Sequence, residues 1–145
     1  MSALAFLSTG EAPLASSLAR ALDGAADIRD LSLLPKLEVR GPVGELGPDV
    51  DVLRLTPTRA LVVGVPSAAQ PGYDMTAALA GIAIRGEQLM RRLTDLDLSR
   101  LPAAGRLAGV QAFVFERDGE YRVFFPQEYG HSVVEIVRDA QAGLA

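Results

Sequence analysis

The chain of 145 residues has no cysteine and no tryptophan, and it has a single histidine, His131. The missing cysteine excludes disulfides, thiolate nucleophiles, iron–sulfur ligation and the common structural zinc sites, because all of them need cysteine sulfur. With one imidazole in the sequence, histidine clusters for metals and Ser-His-Asp triads are both disfavoured. The sequence therefore points away from most thiol and imidazole chemistry, and we expect no catalytic residue and no metal site.

Positive charge is also scarce. The chain has a formal net charge of -4, its only lysine is Lys36, and no basic run is present. Nucleic-acid binders need clustered Lys and Arg to displace the counterions of the phosphates. We therefore expect no nucleic-acid partner.

Long apolar runs are missing as well. No stretch approaches the roughly 18 apolar residues of a membrane span, and residues 1–7 are short and lack the charged flank of a secretory signal. We expect no membrane segment and a cytoplasmic protein, a setting with which the absence of cysteine is compatible. With 49% hydrophobic residues, a chain of this length can bury one core, so residues 1–145 are predicted to form a single domain.

One feature that is present organises the rest of the sequence: a stretch that occurs twice. Residues 73–86 (YDMTAALAGIAIRG) align with residues 29–41 (RDLSLLPKLEVRG), with one residue added in the second copy. The matched pairs are Asp30/Asp74, Leu31/Met75, Ser32/Thr76, Leu37/Ile82, Val39/Ile84, Arg40/Arg85 and Gly41/Gly86. The match indicates one folding unit written twice.

The patterning predicts strands and helices in both halves. In the first half we expect strands at residues 4–7, 28–33, 37–39, 50–55 and 60–65, a helix over 13–24 and a stunted turn at 43–47. In the second half we expect strands at 73–76, 81–84, 110–116 and 121–125, a helix from Glu87, a loop at 102–105 and a last helix over about 128–142. The predicted fold class is α+β, built from two ββαββ-type repeats with pseudo-twofold symmetry. Repeat 1 covers about 1–65, a linker 66–72 and repeat 2 about 73–145.

Several side chains are candidates for a site. Arg40 and Arg85 hold equivalent places in the two copies, where an arginine fork would bind a carboxylate of a ligand or of a partner subunit. The alternative is that each arginine only ties down its turn, by bonding nearby carbonyls or a duplicated aspartate such as Asp74. Tyr129 leads into the last helix beside His131 and would line a cleft, although an exposed or capping position is the ordinary alternative.

Several short pieces of the sequence carry a family resemblance. They are Asp74-Met75-Thr76, the run from Ile82 to Gly86, Leu96-Asp97-Leu98, Arg117 and Tyr121-Arg122-Val123, with Asp30-Leu31-Ser32, Leu37 to Pro42 and Arg59 in the first half. From Ile28 onward the chain resembles the folate-binding aminomethyltransferase superfamily, and within it the gamma subunit of heterotetrameric sarcosine oxidase. The resemblance implies ferredoxin-like repeats, as in the N-terminal domains of aminomethyltransferases, and an accessory role beside partner subunits that carry the flavins and the dinucleotide.

No family catalytic residue finds a position in this chain. The resemblance therefore implies that the chain itself binds no cofactor, with tetrahydrofolate as the one ligand left open. A second hypothesis is a stand-alone folate-binding one-carbon-transfer protein that uses Arg85. A third is a homo-oligomeric structural protein that associates through an exposed sheet edge.

Overall fold

A computed structural model describes residues 16–24, 27–44, 46–64 and 72–144 of the chain. The predicted strand at 4–7 and nearly all of the predicted linker at 66–72 lie outside these ranges. The described residues form an α+β fold with two antiparallel sheets, as the sequence predicts, and it is compatible with a ferredoxin-like kind of architecture. Within the described ranges, neither helix is long and apolar enough to cross a membrane.

The strands and helices follow one another with short connections. The strands are β1 (Arg29–Asp30), β2 (Lys36–Arg40), β3 (Asp51–Thr56), β4 (Arg59–Val63), β5 (Tyr73–Asp74), β6 (Leu79–Ile84), β7 (Ala103–Leu107), β8 (Val110–Arg117) and β9 (Glu120–Pro126). The helices are α1 (Glu87–Leu93) and α2 (Gly130–Leu144), and short 3-10 turns cover Leu98–Arg100 and Gln127–Tyr129.

The first sheet, sheet A, has the strand order β1-β6-β9-β8-β7. One of its faces packs on α1 and α2 through a buried cluster that includes Ile82, Met90, Phe125 and Val137. The other face packs on the second sheet. Because neighbouring strand residues point to opposite faces, the adjacent Phe124 and Phe125 divide between these two layers.

The second sheet, sheet B, has the order β3-β4-β2-β5. Its inner face contributes Leu53, Leu61 and Val63 to the cluster shared with Phe115 and Phe124 of sheet A. The two rings meet edge to face, with centroids 5.8 Å apart. A smaller cluster of Val39, Leu46 and Val62 forms away from this shared layer. Sheet A is thus buried on both faces, which explains the unbroken apolar run of β6.

The two shortest strands cross between the halves of the chain. β1 pairs with β6 of the second half, and β5 pairs with β2 of the first. Asp30 lies opposite Ile82 in the first pairing, and Asp74 lies opposite Leu37 in the second. Each half therefore supplies an edge strand to the sheet of the other, and the two sheets are tied together by backbone hydrogen bonds.

The turns after these short strands use the same hydrogen bonds in both halves. The Asp30 carboxylate accepts from the Ser32 N–H at 2.9 Å, and the Asp74 carboxylate accepts from the Thr76 N–H at 2.9 Å. The Ser32 hydroxyl in turn accepts from the Gly81 N–H at 3.1 Å, and the Thr76 hydroxyl accepts from the Lys36 N–H at 3.0 Å. Aspartate and hydroxyl side chains make such local turns readily.

Lys36 lies at the centre of this crossing and is fully buried. Its ammonium donates to the Ser32 carbonyl at 2.6 Å and to the Thr76 carbonyl at 3.2 Å, and it lies 5.8 Å from the centroid of the Phe124 ring. Burial lowers the pKa of Lys36 from 10.5 to about 8, while the nearby charges of Asp30 and Asp74 act in the opposite direction. The only lysine of the chain thus connects its two halves, and this contact is called here the joint.

Four predicted elements differ in the structure. The strands expected over 28–33 and 73–76 are limited to Arg29–Asp30 and Tyr73–Asp74, because the aspartate at the end of each strand turns the chain through its hydrogen bond to Ser32 or Thr76. The loop expected at 102–105 is instead part of β7, since β8 is long enough to pair with it. The described part of the helix expected over 13–24 consists of consecutive turns that end at Gly24, where φ is +77°.

The lowered pKa of Lys36 predicts a rise in stability with pH. Between pH 8 and pH 10.5 the unfolded chain holds more protons on this group than the folded chain, so the free energy of unfolding should increase across that interval. We expect the wild type to gain about 2 kcal/mol relative to Lys36→Met. Urea unfolding of both proteins at the two ends of the interval measures this gain, and the variant corrects for every other titrating group. A constant difference between the two proteins would contradict the prediction.

Candidate functional site

A cleft of about 1010 Å³ lies beside the β8–β9 hairpin and is called here the hairpin cleft. Its size matches the range typical of ligand pockets. The charged residues that line it are Asp27, Arg29, Arg85, Arg117, Asp118, Glu120 and Arg122. Its apolar wall comes from Ala83, Leu89 and Leu144. The cleft therefore joins both halves of the chain, since its lining begins at Asp27 and ends in α2.

An ionic network holds the floor of the hairpin cleft to sheet B. The Asp51 carboxylate, at the start of β3, accepts from Arg117 Nη2 at 2.7 Å and Nε at 3.1 Å. It also accepts from Arg122 Nη1 at 3.5 Å. The side chains of the three residues are between 12% and 23% exposed, so water screens these pairs only in part. Hydrogen bonding to Asp51 is the main reason that the pKa of Arg117 is raised.

Glu120 forms the second node of this network. Its carboxylate accepts a short hydrogen bond from Arg29 of β1, and it lies 3.9 Å from Arg122 Nε. That Nε is buried and has no hydrogen-bond partner among the described residues. Three guanidinium groups thus share the carboxylates of Asp51 and Glu120, which fixes the hairpin against both sheets.

Arg85 lines the hairpin cleft without taking part in this network. It is exposed, and it makes no ion pair within the described ranges. Its guanidinium stands over the tip of the hairpin, 3.8 Å from where a Cβ on Gly119 would lie. Among the arginines of the cleft, Arg85 therefore has the guanidinium that is best placed to meet an incoming carboxylate.

A second cavity lies between the two sheets and is smaller. It encloses about 200 Å³ and is called here the apolar pocket. Its apolar lining consists of Leu55, Leu61, Met75, Leu79, Phe113 and Pro126. The lining also includes Glu38 and Arg59, which form a short ion pair, and Gln111.

Arg40 lies beside the apolar pocket but does not line it. Its Nη2 lies 3.8 Å from the Glu38 carboxylate, and its guanidinium stacks on the Tyr73 ring with 5.6 Å from Cζ to the centroid. Asp74 follows Tyr73 on β5, where hydrogen bonding to the side chain of Thr76, and then to its backbone N–H, lowers the pKa of Asp74. The structure therefore brings Arg40 and Asp74 to neighbouring strands, β2 and β5.

Tyr129 stands apart from both cavities. It is 45% exposed, in the 3-10 turn before α2, and His131 lines a separate shallow groove with Glu135 and Arg138. The four predicted site residues are therefore distributed over three places, and their roles stay predictions. Asp97 stabilises a turn, because its carboxylate accepts from the Ser99 N–H at 3.0 Å.

The sequence interpretation did not identify the ion pairs of Asp51 or the pair of Glu38 with Arg59. Each pair joins strands that are distant in sequence, so no local spacing marks it. The one available signal was a charged residue inside an otherwise apolar strand, as at Glu38 and Arg122. Among the residues that the structure describes, no group of three or more His, Asp and Glu is placed to hold a metal ion.

The chain matches no protein-family model, and no curated protein matches it in sequence. In structure it is similar to a chain of the heterotetrameric sarcosine oxidase from Corynebacterium sp. U-96, solved in complex with pyrrole 2-carboxylate. The TM-score is 0.70 at 16% identity, and the match covers 90% of this chain and 95% of that chain. At this identity the likeness shows a shared fold, which confirms the sequence-based resemblance at the level of the fold.

The network around Asp51 predicts a measurable loss of stability on its removal. Asp51→Asn should lower the free energy of unfolding by about 2 kcal/mol, because the buried parts of Arg117 and Arg122 lose a charged acceptor. Asp95→Asn is the matched control: Asp95 is exposed just after α1, outside the network, and we expect a change within about 0.5 kcal/mol. Urea unfolding measures both. Equal effects of the two substitutions would show that the network does not stabilise the fold.

Proposed function

We propose that this chain is a non-catalytic accessory subunit of a sarcosine-oxidase-type flavoprotein complex, demethylating and folate-linked. The observation that carries the proposal is the match of nearly the whole chain with nearly the whole of a chain in a heterotetrameric sarcosine oxidase. The two chains are similar in length, since 90% of one covers 95% of the other. A fold shared from end to end fits a subunit of one assembly better than a shared module would.

The same proposal includes a doubled architecture. We infer that repeat 1 (about 1–65) and repeat 2 (about 73–145), joined by the linker 66–72, are two copies of one unit with pseudo-twofold symmetry. The support is the set of paired hydrogen bonds after β1 and β5. The strand orders of the two sheets also correspond one to one. The order β5-β2-β4-β3 of sheet B matches β1-β6-β9-β8 of sheet A, and β7 is an additional strand at the edge of sheet A. A protein with this pseudo-twofold symmetry would present two similar surfaces to partner subunits.

Exposed side chains of the kinds favoured at interfaces support the accessory role. Tyr73 is 61% exposed and Tyr129 is 45% exposed, and tyrosine and arginine are the residues over-represented at binding hot spots. Arg40 stacks on Tyr73, and Arg85 is exposed above the hairpin cleft. We propose Arg85 and Tyr129 as contacts to partner subunits. The expectation of a cytoplasmic location belongs to the same proposal.

Purification from native cells tests the accessory role. The tagged chain should co-purify with flavin-containing subunits in fixed stoichiometry. Arg85→Glu should weaken that association about tenfold, because a reversed charge at an interface repels the partner's carboxylate. Arg91→Glu, on the exposed side of α1, is the matched control and should leave it unchanged. A chain that purifies without any flavoprotein partner would refute the proposal.

A stand-alone folate-binding one-carbon-transfer protein is the second candidate, and the hairpin cleft favours it. The cleft has a volume of about 1010 Å³, and Arg85, which has no ion pair among the described residues, lines it. A guanidinium group is the kind of partner that a glutamyl carboxylate of tetrahydrofolate would use.

Titration with tetrahydrofolate separates the two candidates. If the second is correct, the isolated chain should bind the compound, and Arg85→Gln should weaken binding about tenfold through loss of a charge-assisted hydrogen bond. Arg91→Gln should have no effect. Calorimetry measures all three proteins, and a wild type that shows no binding heat would eliminate this candidate while leaving the accessory role open.

A further inference from the structure

We propose that the apolar pocket is a binding site for a small carboxylate with an apolar chain, and that Arg59 and Arg40 hold its carboxylate. The site is separate from the hairpin cleft, and this inference does not depend on the accessory role. Three observations carry it: a mostly apolar lining, two guanidinium groups that share one carboxylate, and an arginine donor left without an acceptor.

The lining determines the apolar part of the ligand. Six of the nine lining residues are apolar: Leu55, Leu61, Met75, Leu79, Phe113 and Pro126. A volume of about 200 Å³ equals the space of roughly six or seven waters at about 30 Å³ each. The pocket thus has room for a chain of several carbon atoms, and Met75 and Phe113 provide polarizable contacts to it.

The charged residues beside the pocket determine the polar part of the ligand. Arg40 and Arg59 lie directly opposite each other on β2 and β4, and like charges in this position destabilise a sheet. Glu38 lies between them and is within 4 Å of both, so two positive charges share a single negative one. The three side chains together carry a net charge of +1, although the whole chain is acidic. A ligand carboxylate would complete the charge balance.

The hydrogen bonds of Arg59 are also incomplete. Its Nη2 donates to Glu38, while its Nε is buried with no hydrogen-bond partner among the described residues. Its side chain remains 40% exposed, so other donors of the guanidinium face solvent. A second carboxylate beside Glu38 would accept from the solvent-facing terminal donors of this guanidinium, in a charge-assisted hydrogen bond. Arg40 is held close by, against Tyr73.

A nuclear magnetic resonance titration of the intact chain tests the proposal with 4-methylpentanoate and its neutral isostere 4-methylpentanamide. The acid should shift the backbone amides of Leu55, Met75 and Phe113 saturably. The amide should bind at least about tenfold more weakly, since it lacks the charge-assisted hydrogen bond. N-acetyl-glycyl-leucine presents the same chemistry at a peptide end, and tighter binding of that compound would identify a peptide terminus rather than a free acid as the source.

Substitutions assign the carboxylate contact. Arg59→Gln should weaken binding of the acid about tenfold and leave binding of the amide unchanged. Arg91→Gln, at an exposed arginine of α1, is the matched control and should change neither. If Arg59→Gln does not fold, the carboxylate contact is tested with Arg40→Gln and by comparing how the wild type binds the acid and the amide. The proposal is overturned if the acid gives no saturable shift, if shifts occur only around the hairpin cleft, or if acid and amide bind equally.

Discussion

The buried ammonium of Lys36 is the contact on which the arrangement of the two halves depends. It donates to a carbonyl in the turn after β1 and to a carbonyl in the turn after β5, so a single group satisfies acceptors from both halves. Removing a charge from water is costly, and the lowered pKa of Lys36 reports that cost. This cost is offset in part by the two carbonyls, the Phe124 ring and the nearby charges of Asp30 and Asp74. Because the donors and acceptors match only in one geometry, the joint selects one way of docking the halves.

The two cavities follow from how the sheets meet around this joint. The hairpin cleft has its floor closed by Asp51, which reaches from sheet B to Arg117 and Arg122 of sheet A. The apolar pocket lies between the sheets where Glu38 pairs with Arg59 within sheet B. In the hairpin cleft the four arginines are matched by the carboxylates of Asp27, Asp118, Glu120 and Asp51, whereas at the apolar pocket two arginines share the single carboxylate of Glu38, so an acidic chain keeps local positive charge there. That distribution suits carboxylate recognition and gives no attraction for nucleic acid.

The repeated stretch in the sequence predicted more of the fold than composition or helical periodicity did. It located β2 and β6. It did not predict the turns after Asp30 and Asp74, where strands were expected to continue, although an aspartate followed two residues later by a hydroxyl residue favours such a turn. Local patterning did not predict that β1 and β5 exchange sheets, since that pairing is set by contacts about 50 residues apart in sequence, such as Leu31 with Gly81. It also missed β7, whose alanine and glycine residues have little β preference, and which forms because β8 offers an unpaired edge.

The candidate sites were harder to predict for the same reason. Arg85 was identified because it is duplicated, but its position above a cleft depends on a hairpin more than 30 residues later. Arg59 gains its significance only once the β2–β4 register places it opposite Arg40. In both cases the residue type was visible in the sequence, whereas the partner that gives it a role depended on long-range packing.

The complete burial of Lys36 has a practical consequence for mapping partners of this protein. Since it is the only lysine of the chain, the described surface presents no side-chain amine. Amine-directed cross-linking reagents and lysine labels will therefore have no side-chain target on the native surface, and carboxyl-directed or photoactivated reagents are the appropriate choice. An amine label that does appear on Lys36 would report opening of the joint between the halves rather than exposure of a surface residue.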